Sequence, residues 1–192
     1  MQEFISSYLK EVVDIANSVS NQEIENVANE LIKVRDKGGR VFFIGVGGSA
    51  GNASHAVCDL RKLTGIECYA PSDNISELTA RTNDEGWDTI FSAWLKVSKL
   101  NKSDLIFVLS VGGGSREKNI SPGIVNALEL AKERGASIVG IIGKEEGFTR
   151  QVANASILVP IANKNHITPH SESFQTIIWH LFASLPQLKI YQ

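Results

Sequence analysis

With 192 residues, 43 % of them hydrophobic and 21 % charged, the chain has the composition of a globular protein able to bury one full core. A formal net charge of -2 gives no electrostatic reason to expect nucleic acid or an anionic membrane as a partner, and no run approaches the ~18 apolar residues of a spanning helix. Met1 to Ile5 lack a basic stretch leading into an apolar one, so no signal peptide is expected and the expected location is cytoplasmic.

Residues 1–38 read as a helical arm. Phe4, Ile5, Leu9, Val12, Val13, Ile15 and Ala16 recur at helical spacing. Ser20 and Glu23 have capping-box spacing and restart a helix that carries Ile24, Val27, Ala28, Leu31 and Ile32, until Gly38-Gly39 ends it. From residue 39 to 192 the pattern alternates. Short apolar runs fall at Val41–Ile44, Leu105–Leu109, Ile138–Ile142 and Ile157–Val159, with a weaker one at Glu67–Ala70. Helical patterns separate them, clearest over Ile124–Arg134. Continuously apolar strands alternating with helices predict a doubly wound α/β unit, with a five-stranded parallel sheet buried on both faces. Cys58 and Cys68 are too few for a disulfide framework; Cys58, inside a helical pattern, reads as a small apolar residue.

Ligands of such sheets bind beyond the carboxyl ends of the strands. The first strand runs into Gly45-Val46-Gly47-Gly48-Ser49 and then a helix, where glycines let backbone amides approach an anion. The spacing is neither a Walker loop nor the dinucleotide fingerprint. The strand at Leu105–Leu109 ends in a similar way, in Ser110-Val111-Gly112-Gly113-Gly114-Ser115. Two such turns in one sheet predict a phosphate cradle to which Gly47, Gly48, Ser49, Ser110, Gly112, Gly113 and Ser115 contribute amides and hydroxyls. Arg116 reads equally as a further phosphate contact or as a surface residue.

His55 and Asp59 share one face of the helix after the first turn, and Glu172 and His180 lie eight apart in the last helical segment. Singly, Asp59 reads as a surface charge and His180, amid Trp179, Leu181 and Phe182, as a core histidine. Together the four offer two imidazoles and two carboxylates, suited to acid/base chemistry or to a zinc-type metal.

These residues resemble the SIS (sugar isomerase) domain family, and within it the phosphoheptose isomerases. The resemblance spans the chain and rests on Gly45–Ser49, His55, Leu63-Thr64-Gly65, Ser72-Asp73, Asn83-Asp84-x-Gly86-x-x-x-Ile90-Phe91, Ser110–Ser115 and the His180 segment. It implies isomerisation of sedoheptulose 7-phosphate to D-glycero-D-manno-heptose 7-phosphate through an enediol, in a homotetramer with sites between subunits. It also implies that Ser49, Ser110 and Ser115 hold the phosphate, that Asp84 contacts sugar hydroxyls and that His180 transfers a proton. A carboxylate, Asp59 or Glu172, would be the base, and zinc would be held by His55, Asp59, Glu172 and His180. Four features depart from the family pattern. Asp59 stands where the family has glutamate, Glu172 where it has glutamine, the second turn has lost two hydroxyls, and Arg116–Gly123 is longer. Two other readings keep the same fold: a non-catalytic protein that senses sugar phosphates or binds a replication initiator, and an isomerase of another sugar phosphate.

Overall fold

The computed structural model describes residues 1–190. Two helices lead, α1 (Gln2–Ser18) and α2 (Asn21–Asp36). The α/β succession follows as β1 (Arg40–Ile44), α3 (Gly48–Thr64), β2 (Glu67–Tyr69), α4 (Ile75–Glu85), α5 (Ile90–Val97) and β3 (Leu105–Ser110). It ends with α6 (Pro122–Arg134), β4 (Ser137–Ile142), α7 (Phe148–Val152), β5 (Ala155–Leu158) and α8 (Ile167–Ser184). All five strands are parallel, in the order β2-β1-β3-β4-β5.

Strand residues alternate between two cores, as the period-2 geometry of a strand requires. Val41, Phe43, Leu105, Phe107 and Ile141 pack beneath α2, α3 and α8, together with Phe174, Trp179 and Phe182. Phe42, Ile44, Ile106, Val108 and Ile138 face α5 and α6. The first core also takes in Ile15, Val27, Ala28, Leu31 and Val34, so the leading helices share the packing of the sheet.

Several details differ from the sequence reading. Glu23 provides half of the capping box, its amide donating to Ser20 Oγ at 3.2 Å. Its carboxylate instead accepts from Arg150 Nη2 at 2.6 Å and from the Leu158 amide at 2.9 Å, because an edge-strand donor and a guanidinium are stronger partners than the cap. Cys58 is exposed on α3, whereas Cys68 is the buried thiol, its pKa pushed up to about 12 by burial. On α1, Phe4, Ile5, Leu9 and Val13 are exposed, and Ile15 is the helix's only buried residue.

The base of β3 is held by one charge. Buried Asp104 accepts from the Arg40 backbone amide and from Nε and Nη2 of the same residue at 3.2, 3.0 and 2.7 Å, and from the Asn101 amide at 3.0 Å. Asp104→Ala would strand these donors and is expected to lower the unfolding free energy by about 3 kcal/mol, read as a fall in the urea midpoint. At the other end of the molecule, hydrogen bonds from Asn163, His170 and His166 draw the Glu11 carboxyl down from 4.5 to about 2. That attachment of α1 is fully present above pH 4.5 and is lost as the pH falls toward 2. Acid titration of the wild type should show this component, and Glu11→Gln should not.

Candidate functional site

The strand ends build the site from backbone outward. A Cβ on Gly45 would lie 2.6 Å from the Ser49 carbonyl oxygen and 3.0 Å from that of Leu109, so only glycine lets the chain turn here against β3. Gly47 has φ +65° and caps α3, with the Ala50 amide donating to its carbonyl at 3.0 Å. The α3 N-terminus therefore lies over the strand ends, where its positive dipole end favours an anion, and the Glu172 carboxylate packs there beside Gly48. Ser49 is buried within this first turn.

The second turn is built differently. Ser110 Oγ accepts from the Gly113 amide at 3.0 Å, and Gly113 and Gly114 have φ of +70° and +78°. Ser115 exchanges backbone hydrogen bonds with Ile120, each at 2.9 Å, and its Oγ accepts from the Lys118 amide at 3.2 Å. The longer Arg116–Gly123 stretch is thus a small antiparallel hairpin leading into α6, and the Ser115 amide is already used by it. Arg116 pairs with Glu129 and donates to Asn126 at 3.3 Å, so its guanidinium serves α6 rather than a phosphate. An open cleft of about 520 Å³ lies along the turn, lined in part by Gly112, Gly114, Ser115, Lys118, Lys144 and Phe148.

α8 crosses the strand ends beside α3. Ser171 sits where a Cβ on Gly143 would be, and the Glu172 carboxylate lies 2.5 Å from where one on Gly48 would be. Asn52 then locks the two helices. Its amide nitrogen donates to the Glu172 carbonyl at 2.9 Å and to Gln175 Oε1 at 3.1 Å, and its Oδ1 accepts from the Thr176 hydroxyl at 2.9 Å. One turn further along, His55 Nε2 and His180 Nε2 approach Asp59 Oδ2 at 3.9 and 3.7 Å. His180 Nδ1 is 2.9 Å from the Thr176 carbonyl, to which it donates. That bond fixes the tautomer and leaves the Nε2 lone pair facing Asp59.

The structure therefore brings together His55, Asp59 and His180, whose ligand atoms lie within 4.8 Å of one another. This trio suits a divalent cation, with His180 oriented by an outer hydrogen bond in the usual way. Glu172 is not part of it within one chain. Eight residues of helix place it about 12 Å from His180 along α8, against the first turn of α3. Asp84 is also apart, exposed on α4 with its carboxylate accepting from Asn83 at 2.8 Å. Asn52 and Thr176 were missed by the sequence reading. The signal for Asn52 was a polar residue one turn before His55 on the same helical face.

Strand-end glycine turns, an anion-ready helix terminus and a carboxylate–imidazole trio lie together at the end of the sheet where ligands of α/β folds bind. The family model described as "SIS domain" matches residues 7–143. The chain is 30% identical over 198 residues to the phosphoheptose isomerase of Akkermansia muciniphila, covering 100% of this chain and 99% of that protein. It is 34% identical over 153 residues to the lincomycin biosynthesis protein LmbN of Streptomyces lincolnensis, covering 74% of this chain but only 54% of that longer protein. The fold matches the structure of phosphoheptose isomerase GmhA from Neisseria gonorrhoeae with a TM-score of 0.81 at 20% identity, covering 95% of this chain and 96% of that one. The chain belongs to the SIS-domain family and, within it, to the phosphoheptose isomerases.

Gly45 and Gly112 differ in what a side chain would meet. Gly45→Ala drives a methyl into two backbone carbonyls and is expected to cost about 1–3 kcal/mol. Gly112→Ala meets nothing within 4 Å, so its unfolding midpoint should match the wild type. Chemical denaturation of the pair checks both.

Proposed function

We propose that the chain is an aldose–ketose isomerase converting sedoheptulose 7-phosphate to D-glycero-D-manno-heptose 7-phosphate. The observation that carries the reading is His180, its Nδ1 tied to the Thr176 carbonyl and its Nε2 facing Asp59 on a helix that also runs past the glycine turns. The phosphate is held by the α3 amides and by Ser49, Ser110 and Ser115, with Gly47, Gly48, Gly112 and Gly113 giving it close backbone approach. Asp84 contacts the sugar hydroxyls.

A carboxylate, Asp59 in the trio or Glu172 beside the cradle, takes the proton from the carbon next to the ketose carbonyl. The electron pair left behind forms the enediol, and the same carboxylate returns the proton to the former carbonyl carbon. His180 moves the hydroxyl proton between the two oxygens. His55, Asp59 and His180 would hold a divalent cation of zinc type, which would polarise the sugar oxygens when bound; in that state Asp59 and His180 Nε2 are taken up as ligands, and Glu172 beside the cradle would be the base. Asp59 is one methylene shorter than the family's glutamate, a difference for which a closely bound cation compensates.

The trio needs covering. The side chains of His55 and His180 are 59% and 47% exposed, and open water weakens both electrostatics and proton transfer. The exposed apolar stripe of α1 supplies an assembly face, which supports a homotetramer with sites between subunits. The thiols of Cys58 and Cys68 are free, in keeping with a cytoplasmic location.

Incubation with sedoheptulose 7-phosphate in heavy water should give the aldose product and deuterium at the reacting carbon. Asp59→Asn or His180→Ala should lower kcat by about 10²–10⁴ with the fold retained. Absence of both product and exchange would falsify the isomerase reading, and a raised melting temperature without turnover would assign a sensor instead.

A further inference from the structure

Glu11, His166 and His170 form a second cluster, at the opposite end of α8 from His180. His166 Nδ1 and His170 Nε2 each lie 2.7 Å from the same oxygen, Glu11 Oε2, while Asn163 donates to Oε1 at 2.8 Å. The cluster is enclosed. His170 is 3% exposed, and the side chains of Glu11 and His166 are 12% and 23% exposed. The Tyr8 ring packs 4.6 Å from that of His170, and Phe4 meets His166 edge-on at 5.9 Å.

Two imidazoles and one carboxylate converging at one point form a donor set that zinc takes. Asn163 supplies the hydrogen bond to the second carboxylate oxygen that ligating carboxylates commonly receive. One carboxylate oxygen faces both imidazole nitrogens, the convergence a single cation requires, and His170 Nδ1 is buried with no partner among the described residues.

We propose that Glu11 Oε2, His166 Nδ1 and His170 Nε2 form a structural divalent-cation site, of zinc type, that staples α1 to the head of α8. A water fills the fourth position, on the partly open His166 side. Binding opens the nitrogen–oxygen separations from 2.7 Å to about 3.3 Å, the edge of a tetrahedron with bonds of about 2.0 Å. Each neutral imidazole moves its proton to its other nitrogen, which on His166 faces the open side. On His170 the new N–H stays buried and unpaired, a cost small beside the affinity of structural zinc sites. The site is separate from the proposed catalytic trio and does not depend on the isomerase reading.

The test uses untagged, metal-free full-length protein carrying Asp59→Asn and His180→Asn, which removes the other trio. Zinc chloride should raise its melting temperature by about 5 °C or more when present at a hundredfold excess over Kd. Cobalt chloride should give the visible bands of four-coordinate cobalt. Adding Glu11→Gln or His166→Gln should abolish both effects. Should Glu11→Gln fail to fold, the His166→Gln comparison and the cobalt bands decide. No zinc shift in the folded double variant, or a shift and bands that survive His166→Gln, overturns the proposal and leaves a hydrogen-bonded clasp.

Discussion

The pairing of α3 with α8 through Asn52 is the contact on which the candidate site depends. One side chain makes three hydrogen bonds to α8. Both helices climb away from the strand ends side by side, so a single lock sets the height of His55 and Asp59 against His180. It also sets Glu172 over the first turn of α3. Beneath the lock, Trp179 and Phe182 sit in the core with Phe43 and Phe107, so sliding α8 by one residue would expose aromatic area as well as break polar bonds. Precision in the site is borrowed from packing that has no chemistry of its own.

Much of this was legible in the chain because glycine has few uses. A Gly-x-Gly-Gly-Ser turn after an apolar strand must bring backbone close to something, and Gly45 does so against Leu109. The period-2 strands and the alternation with helices similarly fixed the sheet class. What stayed hidden depends on three-dimensional partners. The sequence lists Ser115 beside Ser110 but not that Ile120 occupies the Ser115 amide, since a hairpin of this size leaves no periodic trace. Eight-residue spacing put Glu172 and His180 near one helical face, yet their axial separation assigns them to different ends of the site. The same periodicity that marks α1 as amphipathic cannot say whether its apolar stripe meets its own sheet, and most of it does not.

The two imidazole–carboxylate clusters show how surroundings divide like compositions into unlike roles. His55, Asp59 and His180 lie open, with ligand separations near 4 Å and room for a substrate. Glu11, His166 and His170 are tight and packed against Tyr8, each imidazole nitrogen 2.7 Å from the shared carboxylate oxygen. Exposure favours exchange of a reacting molecule, and enclosure favours permanence.

The position of α8 in the chain has a consequence for synthesis. It is the last element described, and it supplies Phe174, Ile178, Trp179 and Phe182 to the larger core. As the polypeptide emerges from the ribosome, the five strands can be complete while that core still lacks one wall and Phe43 and Phe107 remain uncovered. Until α8 emerges, those aromatic side chains stay exposed to solvent. Closure of the core and assembly of the site happen in the same moment.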